Sequence, residues 1–201
     1  MIAWPIQALK KSKLFDKIFV STDNKLIANT AKKFGAEIPF IRSRNLSDDY
    51  TPTLPVIKDA ILRLSNLYKI ENICCVYPCS PFILSRDFVE AFKILKKNKN
   101  RFVFPVIENS HPIQRSFRLK GKKRIIDFLF KSKELSRTQD LEKTYHDAGQ
   151  FYWSESKTWL KQKKVFNSSS TIIEIPRNRA IDIDTKEDWQ FASNMMKIKK
   201  K

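Results

Sequence analysis

The feature that most constrains this chain is a repeated switch between two apolar periods over residues 2–107. Stripes with helical spacing are formed by Ile6, Leu9 and Leu14, by Leu26, Ile27, Ala31 and Phe34, by Ile57, Ala60, Ile61, Leu64, Leu67 and Tyr68, and by Phe88, Phe92 and Leu95. Each stripe is followed by a short apolar run that reads as a strand: 17–22, 38–41, 72–77 and 101–107. Asn24 is placed to cap the second helix and Gly35 to stop it, and the polar segment 42–52, ending at Pro52, reads as a loop. The order α-β-α-β-α-β-α-β predicts an α/β fold with a doubly wound, mostly parallel sheet. Such a fold normally opens on a strand whose following loop and helix N-terminus hold phosphates. This chain opens on a helix, and with three glycines in all it contains no glycine-rich phosphate loop.

After residue 107 the pattern changes. Residues 113–130 read as two strands around a Lys-Gly turn, 151–153 as a strand, 154–163 as a helix and 171–175 as a strand. The chain is long enough for one domain with its own core. Residues 1–195 are assigned to it, with a hairpin near 115–145 projecting and a Lys-rich tail at 196–201. No apolar run is long enough to span a bilayer and no signal-peptide pattern opens the chain, so a cytoplasmic protein with no membrane partner is expected. Cys74 and Cys75 are neighbours on a strand and point to opposite faces, which makes them poor partners for a metal or for each other. Together with Cys79 they are expected to be buried, reduced thiols.

The net charge of +18 raises three readings: a solvated surface, attraction of an anionic small substrate, and nucleic-acid binding. The lysines are scattered as KK and KxK pairs, and no helix-turn-helix, zinc-finger or RNP-like pattern accompanies them. No nucleic-acid partner is therefore expected.

The stretch AIDIDTKEDW, residues 180–189, holds the densest chemistry. In an extended segment Ile181 and Ile183 point to one side and Asp182 and Asp184 to the other. Paired carboxylates at this spacing suit a hard divalent cation shared with phosphates. They equally suit turn and cap positions at a strand–helix junction. Thr185 and Asp188 form a capping-box pattern, and Trp189, Ala192 and Met196 follow at helical spacing.

Seven strings occur in order along essentially the whole chain: LFDKIFVSTDN (14–24), KKFGAEIPFIR (32–42), LSDDYT (46–51), CCVYPCSPF (74–82), HPIQRS (111–116), YHDAGQFYW (145–153) and RAIDIDTKEDW (179–189). Together they resemble the cytidylyltransferases that activate nine-carbon sugar acids as CMP conjugates. The longer string SRTQDLEKTYHDAGQFYW looks like the pseudaminic acid branch of that family, with the N-acetylneuraminate and legionaminate enzymes as neighbouring alternatives.

The resemblance implies the nucleotide-diphosphosugar transferase fold, a Rossmann-like α/β/α sandwich. It also implies CTP and a nonulosonic acid as substrates, and Mg²⁺ held by Asp182 and Asp184. Ser80 and Arg44 with the SDDYT loop fall to the nucleotide, with Arg42 an alternative to Arg44. Gln114, Arg115, Tyr145, His146, Asp147 and Gln150 fall on the sugar side. Asp147 or His146 is expected to orient the sugar or take its proton, beside the plainer readings of a turn aspartate and a structural histidine. Phe151, Tyr152 and Trp153 are expected in the core or at the contact of a homodimer, whose usual seat in the family is the insertion before residue 145.

The resemblance also implies an earlier first strand and an Arg/Gly/Ser/Lys-rich loop. Residues 1–6, MIAWPI, correspond to a position inside the family's first helix. The expectation is a chain truncated or begun at an internal methionine, poorly soluble and unable to hold a triphosphate. A folded, non-catalytic family member is the rival reading.

Overall fold

The computed structural model describes residues 1–99, 101–122 and 124–199. Its helices are α1 (Ala3–Ser12), α2 (Lys25–Lys33), α3 (Thr53–Ser65), α4 (Ser85–Lys97), α5 (Ser156–Lys161) and α6 (Lys186–Lys199). Its strands are β1 (Asn72–Val76), β2 (Val103–Glu108), β3 (Phe117–Lys120), β4 (Ile125–Phe128), β5 (Tyr145–Asp147), β6 (Phe151–Glu155) and β7 (Thr171–Glu174). Residues 196–199, read from sequence as the start of a tail, belong to α6; Lys200 and Lys201 lie outside the described residues.

Helix ends follow local chemistry. The Asn24 side chain accepts the N–H groups of Leu26 and Ile27 at 2.8 and 3.2 Å, and Gly35 takes the left-handed φ of 91° that ends α2. The inward face of α2 differs from the expected one. Ala28 and Ala31 are buried, whereas Leu26 is 77% exposed and Ile27 and Phe34 are also exposed. The small-residue face lets α2 lie close to Ile6 of α1 and to Ala36, and the larger side chains are left outside.

The main sheet runs in the order β1-β6-β2-β5, with β7 on β2. β1, β2 and β7 point the same way, because β6 is antiparallel to both β1 and β2 and β7 is parallel to β2. The expected parallel set is thus present, but its ladders are mostly antiparallel, since one reversed strand is inserted between β1 and β2. A reversed strand has the same period of two and the same apolar content, so sequence pattern does not distinguish it.

Side-chain alternation then builds two cores. On one face Val103, Ile107, Phe151, Trp153 and Ile173 meet Leu9 of α1 and Phe88, Ala91 and Leu95 of α4. On the other, Phe102, Phe104, Val106, Cys75 and Tyr152 meet Ile61 of α3 and Trp159 of α5. Helices therefore cover both faces, as a doubly wound fold requires. Phe151, Tyr152 and Trp153 all lie in these cores. Cys74 and Cys75 face opposite cores, and burial pushes both thiols up, Cys75 to about 12. Cys79, expected buried, is exposed, because it sits in the turn beyond β1.

Two expected strands are absent. Residues 17–22 make a single parallel bridge, Phe19 to Glu37, just before the expected strand 38–41. Glu37 N–H reaches Ile18 O at 2.8 Å and Val20 N–H reaches Glu37 O at 3.0 Å. The next rung would need an N–H from residue 39, which is proline, so the regular ladder is interrupted there, and the segments meet again only where Arg42 N–H reaches Thr22 O at 2.9 Å. The hairpin expected near 115–145 is present as β3–β4, a separate two-stranded sheet turning at Gly121.

Trp159 is fully buried, packs edge-to-face on Phe102 at 4.8 Å, and donates its indole N–H to Ile73 O at 3.4 Å. Trp159→Ala is expected to lower stability by about 3–5 kcal/mol in urea denaturation. Leu26→Ala, at an exposed position, should change it by no more than about 0.5 kcal/mol.

Candidate active site

Because β1, β2 and β7 run together, their carboxyl ends lie along one edge of the sheet, where open α/β folds place their ligands. Ser80 follows β1, Gln114 and Arg115 follow β2, and Asp182 and Asp184 follow β7. Strand β5 pairs with the last residues of β2, Val106 with Asp147 and Glu108 with Tyr145, which brings Tyr145, His146 and Asp147 to the same edge. The loop carrying Arg44 leads into α3, whose first residue, Thr53, bonds its hydroxyl to that of Tyr77 at 2.7 Å just past β1. Topology thus gathers at one end residues that span much of the chain.

Asp147 is the most elaborately held of these residues. Its Oδ2 accepts the Tyr152 hydroxyl, while its Oδ1 is buried without a hydrogen-bond partner. Burial pushes the carboxyl above its ordinary range, and the negative charge of Asp182 adds to that rise. Hydrogen bonds from Tyr152 and from the Gly149 N–H work the other way. Tyr152 lies edge-to-face on Tyr77, 5.5 Å between ring centres, and its phenol is held strongly protonated by burial and by Asp147.

His146 belongs to the opposite face of β5. Its Nδ1 lies 2.6 Å from Asn109 Oδ1, and Asn109 Nδ2 donates to Thr144 Oγ1 at 2.9 Å. Which of the two groups donates follows from the imidazole tautomer and the orientation of the Asn109 amide. Tyr145 is half exposed. Gln114 donates to Glu142 O at 3.1 Å and keeps a buried, unpartnered Oε1; Arg115 donates to Ser136 O at 2.8 Å. These two bonds tie the loop after β2 to the segment that returns from the hairpin.

Arg42 and Arg44 separate clearly. Arg42 is half-buried, donates to Ser47 Oγ at 3.0 Å and lies 3.9 Å from Asp23, whereas Arg44 is exposed. Ser80 is buried. Gln150 is also buried: its main-chain oxygen accepts the Tyr77 N–H at 2.9 Å, and its side-chain amide donates to Arg179 O.

Asp182 and Asp184 are exposed and alternate with half-buried Ile181 and Ile183, the expected sidedness, although the segment pairs with no strand. Thr185 and Asp188 form the expected reciprocal cap, Thr185 N–H to Asp188 Oδ2 at 2.8 Å and Asp188 N–H to Thr185 Oγ1 at 3.1 Å. Among the described residues no group of three or more His, Cys, Asp or Glu is arranged to hold a metal. A cation here would rest on the two carboxylates and complete its shell from water and phosphate oxygens.

Sequence reading missed Thr53, Tyr77 and Tyr152 as site residues, and it missed a buried ion pair between Arg179 and Asp87. Tyr77 and Tyr152 carry the same apolar signal as core residues. Asp87 and Arg179 are 92 positions apart, with no local pattern linking them.

The whole chain, residues 1–201, matches the family model described as Cytidylyltransferase. It is 37% identical over 200 residues to a pseudaminic acid cytidylyltransferase of Campylobacter jejuni, covering 98% of this chain and 85% of that protein. It is 29% identical over 204 residues to a CMP-N,N'-diacetyllegionaminic acid synthase of the same species, covering 99% and 85%. Among solved structures, CMP:2-keto-3-deoxy-manno-octonic acid synthetase complexed with CTP superposes with a TM-score of 0.68 at 10% identity, covering 98% of this chain and 88% of that one. That likeness establishes the α/β nucleotidyltransferase fold. With a full-length family match and a relative this similar, the chain belongs to the cytidylyltransferase family, enzymes of nucleotidyl transfer.

Proposed function

We propose that this protein transfers CMP from CTP to a nine-carbon sugar acid, pseudaminic acid in preference, with release of pyrophosphate. The observation that carries the reading is 37% identity over nearly the whole chain to a pseudaminic acid enzyme, against 29% to a legionaminic acid enzyme. The gathering of the named residues at the carboxyl edge of the sheet supports it.

The anomeric hydroxyl of the sugar attacks the α-phosphorus of CTP, a new O–P bond forms, and the bond to the pyrophosphate oxygen breaks. Such a reaction depends on positioning and on neutralising phosphate charge. Asp147 suits the proton acceptor: one oxygen is fixed by Tyr152, and the other is buried and unpartnered. Arg44 and Ser80 are assigned to the nucleotide, and Gln114, Arg115, Tyr145 and His146 to the sugar acid.

The exposed carboxylates of Asp182 and Asp184 fit Mg²⁺, which takes one or two carboxylates and leaves the rest of its shell to water and substrate phosphates. When bound, the ion supplies charge neutralisation at the phosphates. Reduced cysteines and a nucleotide substrate suit the cytoplasm, and no helix among the described residues is long and apolar enough to cross a membrane.

A homodimer through the β3–β4 hairpin completes the reading. Register places Phe117, Leu119 and Ile126 on one face, all exposed, and Arg118, Lys120 and Asp127 on the other. An exposed apolar stripe backed by charge is the usual form of an interface.

Three outcomes are expected. Asp182→Asn with Asp184→Asn should abolish Mg²⁺-dependent pyrophosphate release from CTP and sugar acid while the thermal melt stays cooperative; undiminished release would remove the assignment. Pseudaminic acid should exceed N-acetylneuraminic acid in kcat/KM by on the order of tenfold or more, and a reversed order would move the protein to the neighbouring branch. Leu119→Glu with Ile126→Lys should convert a dimer to a monomer in sedimentation velocity; an unchanged dimer would place the contact elsewhere.

A further inference from the structure

The loop 181–184 belongs to no strand, and its two aspartates are exposed, so nothing within the segment sets the spacing of their carboxylates. Their geometry is set from the two ends. Downstream, the Thr185–Asp188 cap fixes the start of α6. Upstream, the chain is gripped at Arg179. Its Nη1 and Nη2 meet Asp87 Oδ2 and Oδ1 at 2.5 and 3.1 Å, the bidentate arrangement that fixes both partners. Its main-chain oxygen accepts the buried Gln150 amide, and the turn around it is closed by Arg179 N–H to Pro176 O at 2.9 Å and Ala180 N–H to Arg177 O at 3.1 Å.

Asp87 is anchored in turn. It sits in the first turn of α4, accepts the Leu84 N–H at 3.0 Å, and so joins Arg179 to the loop that carries Ser80. The two side chains are only 12% and 3% exposed. Stability alone accounts poorly for such a pair: buried ion pairs are often matched or bettered by apolar residues of similar volume. The Arg179 Nε, moreover, is buried with no partner.

We propose that the Asp87–Arg179 pair is a positioning clamp for the Asp182–Asp184 loop, holding the two carboxylates at the spacing a divalent cation needs. The proposal rests on the cation assignment made above.

Arg179→Ala would leave Asp87 as a lone buried charge, so the test uses Asp87→Leu with Arg179→Met, which removes the pair at similar volume. Mn²⁺ binding in the presence of CTP is followed by the electron paramagnetic resonance of free Mn²⁺, and hydrogen exchange is followed in peptides covering 177–185 and 72–76. The clamp predicts a cooperative melt, an Mn²⁺ dissociation constant raised about tenfold, and faster exchange in 177–185 with 72–76 unchanged. If the double variant does not fold, Arg179→Lys, which keeps the charge but loses the fork, is judged on the same readouts. Wild-type Mn²⁺ affinity and exchange in the folded variant would overturn the clamp. Asp182→Asn with Asp184→Asn, run in parallel, separates the two claims. If that variant loses Mn²⁺ and the clamp variant does not, the clamp alone falls. If it binds Mn²⁺ as wild type does, or wild type binds none, the cation assignment falls and the clamp with it.

Discussion

The site depends on one reversed strand. β5 and β6 are a continuous stretch laid along β2, and between them the register jumps. Val106 faces Asp147 but Val103 faces Trp153, so three steps along β2 correspond to six along its partner. The surplus is taken up at Ala148-Gly149-Gln150, where Gly149 has φ of 60°. This bulge lets Phe151, Tyr152 and Trp153 fill both cores while Asp147 stays at the carboxyl edge under the Tyr152 hydroxyl. It also turns Gln150 toward Arg179, the residue that opens the loop bearing the aspartates.

Burial does chemical work at this edge. A carboxylate at Asp147 is made less favourable by the apolar surroundings that give the sheet its stability, and Asp182 adds to the effect. The same surroundings keep Tyr152 protonated, so it acts as a donor to Asp147. The packing of the second core and the chemistry of the acid are therefore one arrangement. An overall charge of +18 provides a long-range field that favours approach of an anionic nucleotide and an acidic sugar, although salt weakens it beyond roughly 10 Å.

One exposed apolar stripe lies off the main sheet. The hairpin stripe of Phe117, Leu119 and Ile126 lies on a separate two-stranded sheet, tied back through Gln114–Glu142 and Arg115–Ser136. Those two bonds begin at residues assigned to the sugar acid. The hairpin's return segment and the residues assigned to the sugar acid are thus joined by two hydrogen bonds.

Much of this was legible in the amino-acid order, because local periodicity and local bonds are written locally. The helix 85–97, the strand from Asn72, the Lys-Gly hairpin, the Asn24 cap and the Thr185–Asp188 cap each depend on neighbours within a few positions. The sidedness of Asp182 and Asp184 followed from alternation alone. Other features needed the folded chain. A period of two does not encode strand direction, so the reversal of β6 between β1 and β2 was not legible. The two expected strands around Phe19 and Ile38 reduce to one bridge, because a strand exists only where its partner supplies an N–H, and Pro39 has none. The junctions of Asp87 with Arg179 and of Tyr152 with Tyr77 were decided by tertiary structure, since these contacts arise from the crossing of distant elements; Tyr152 meets Asp147, five residues away, because the chain bulges between them.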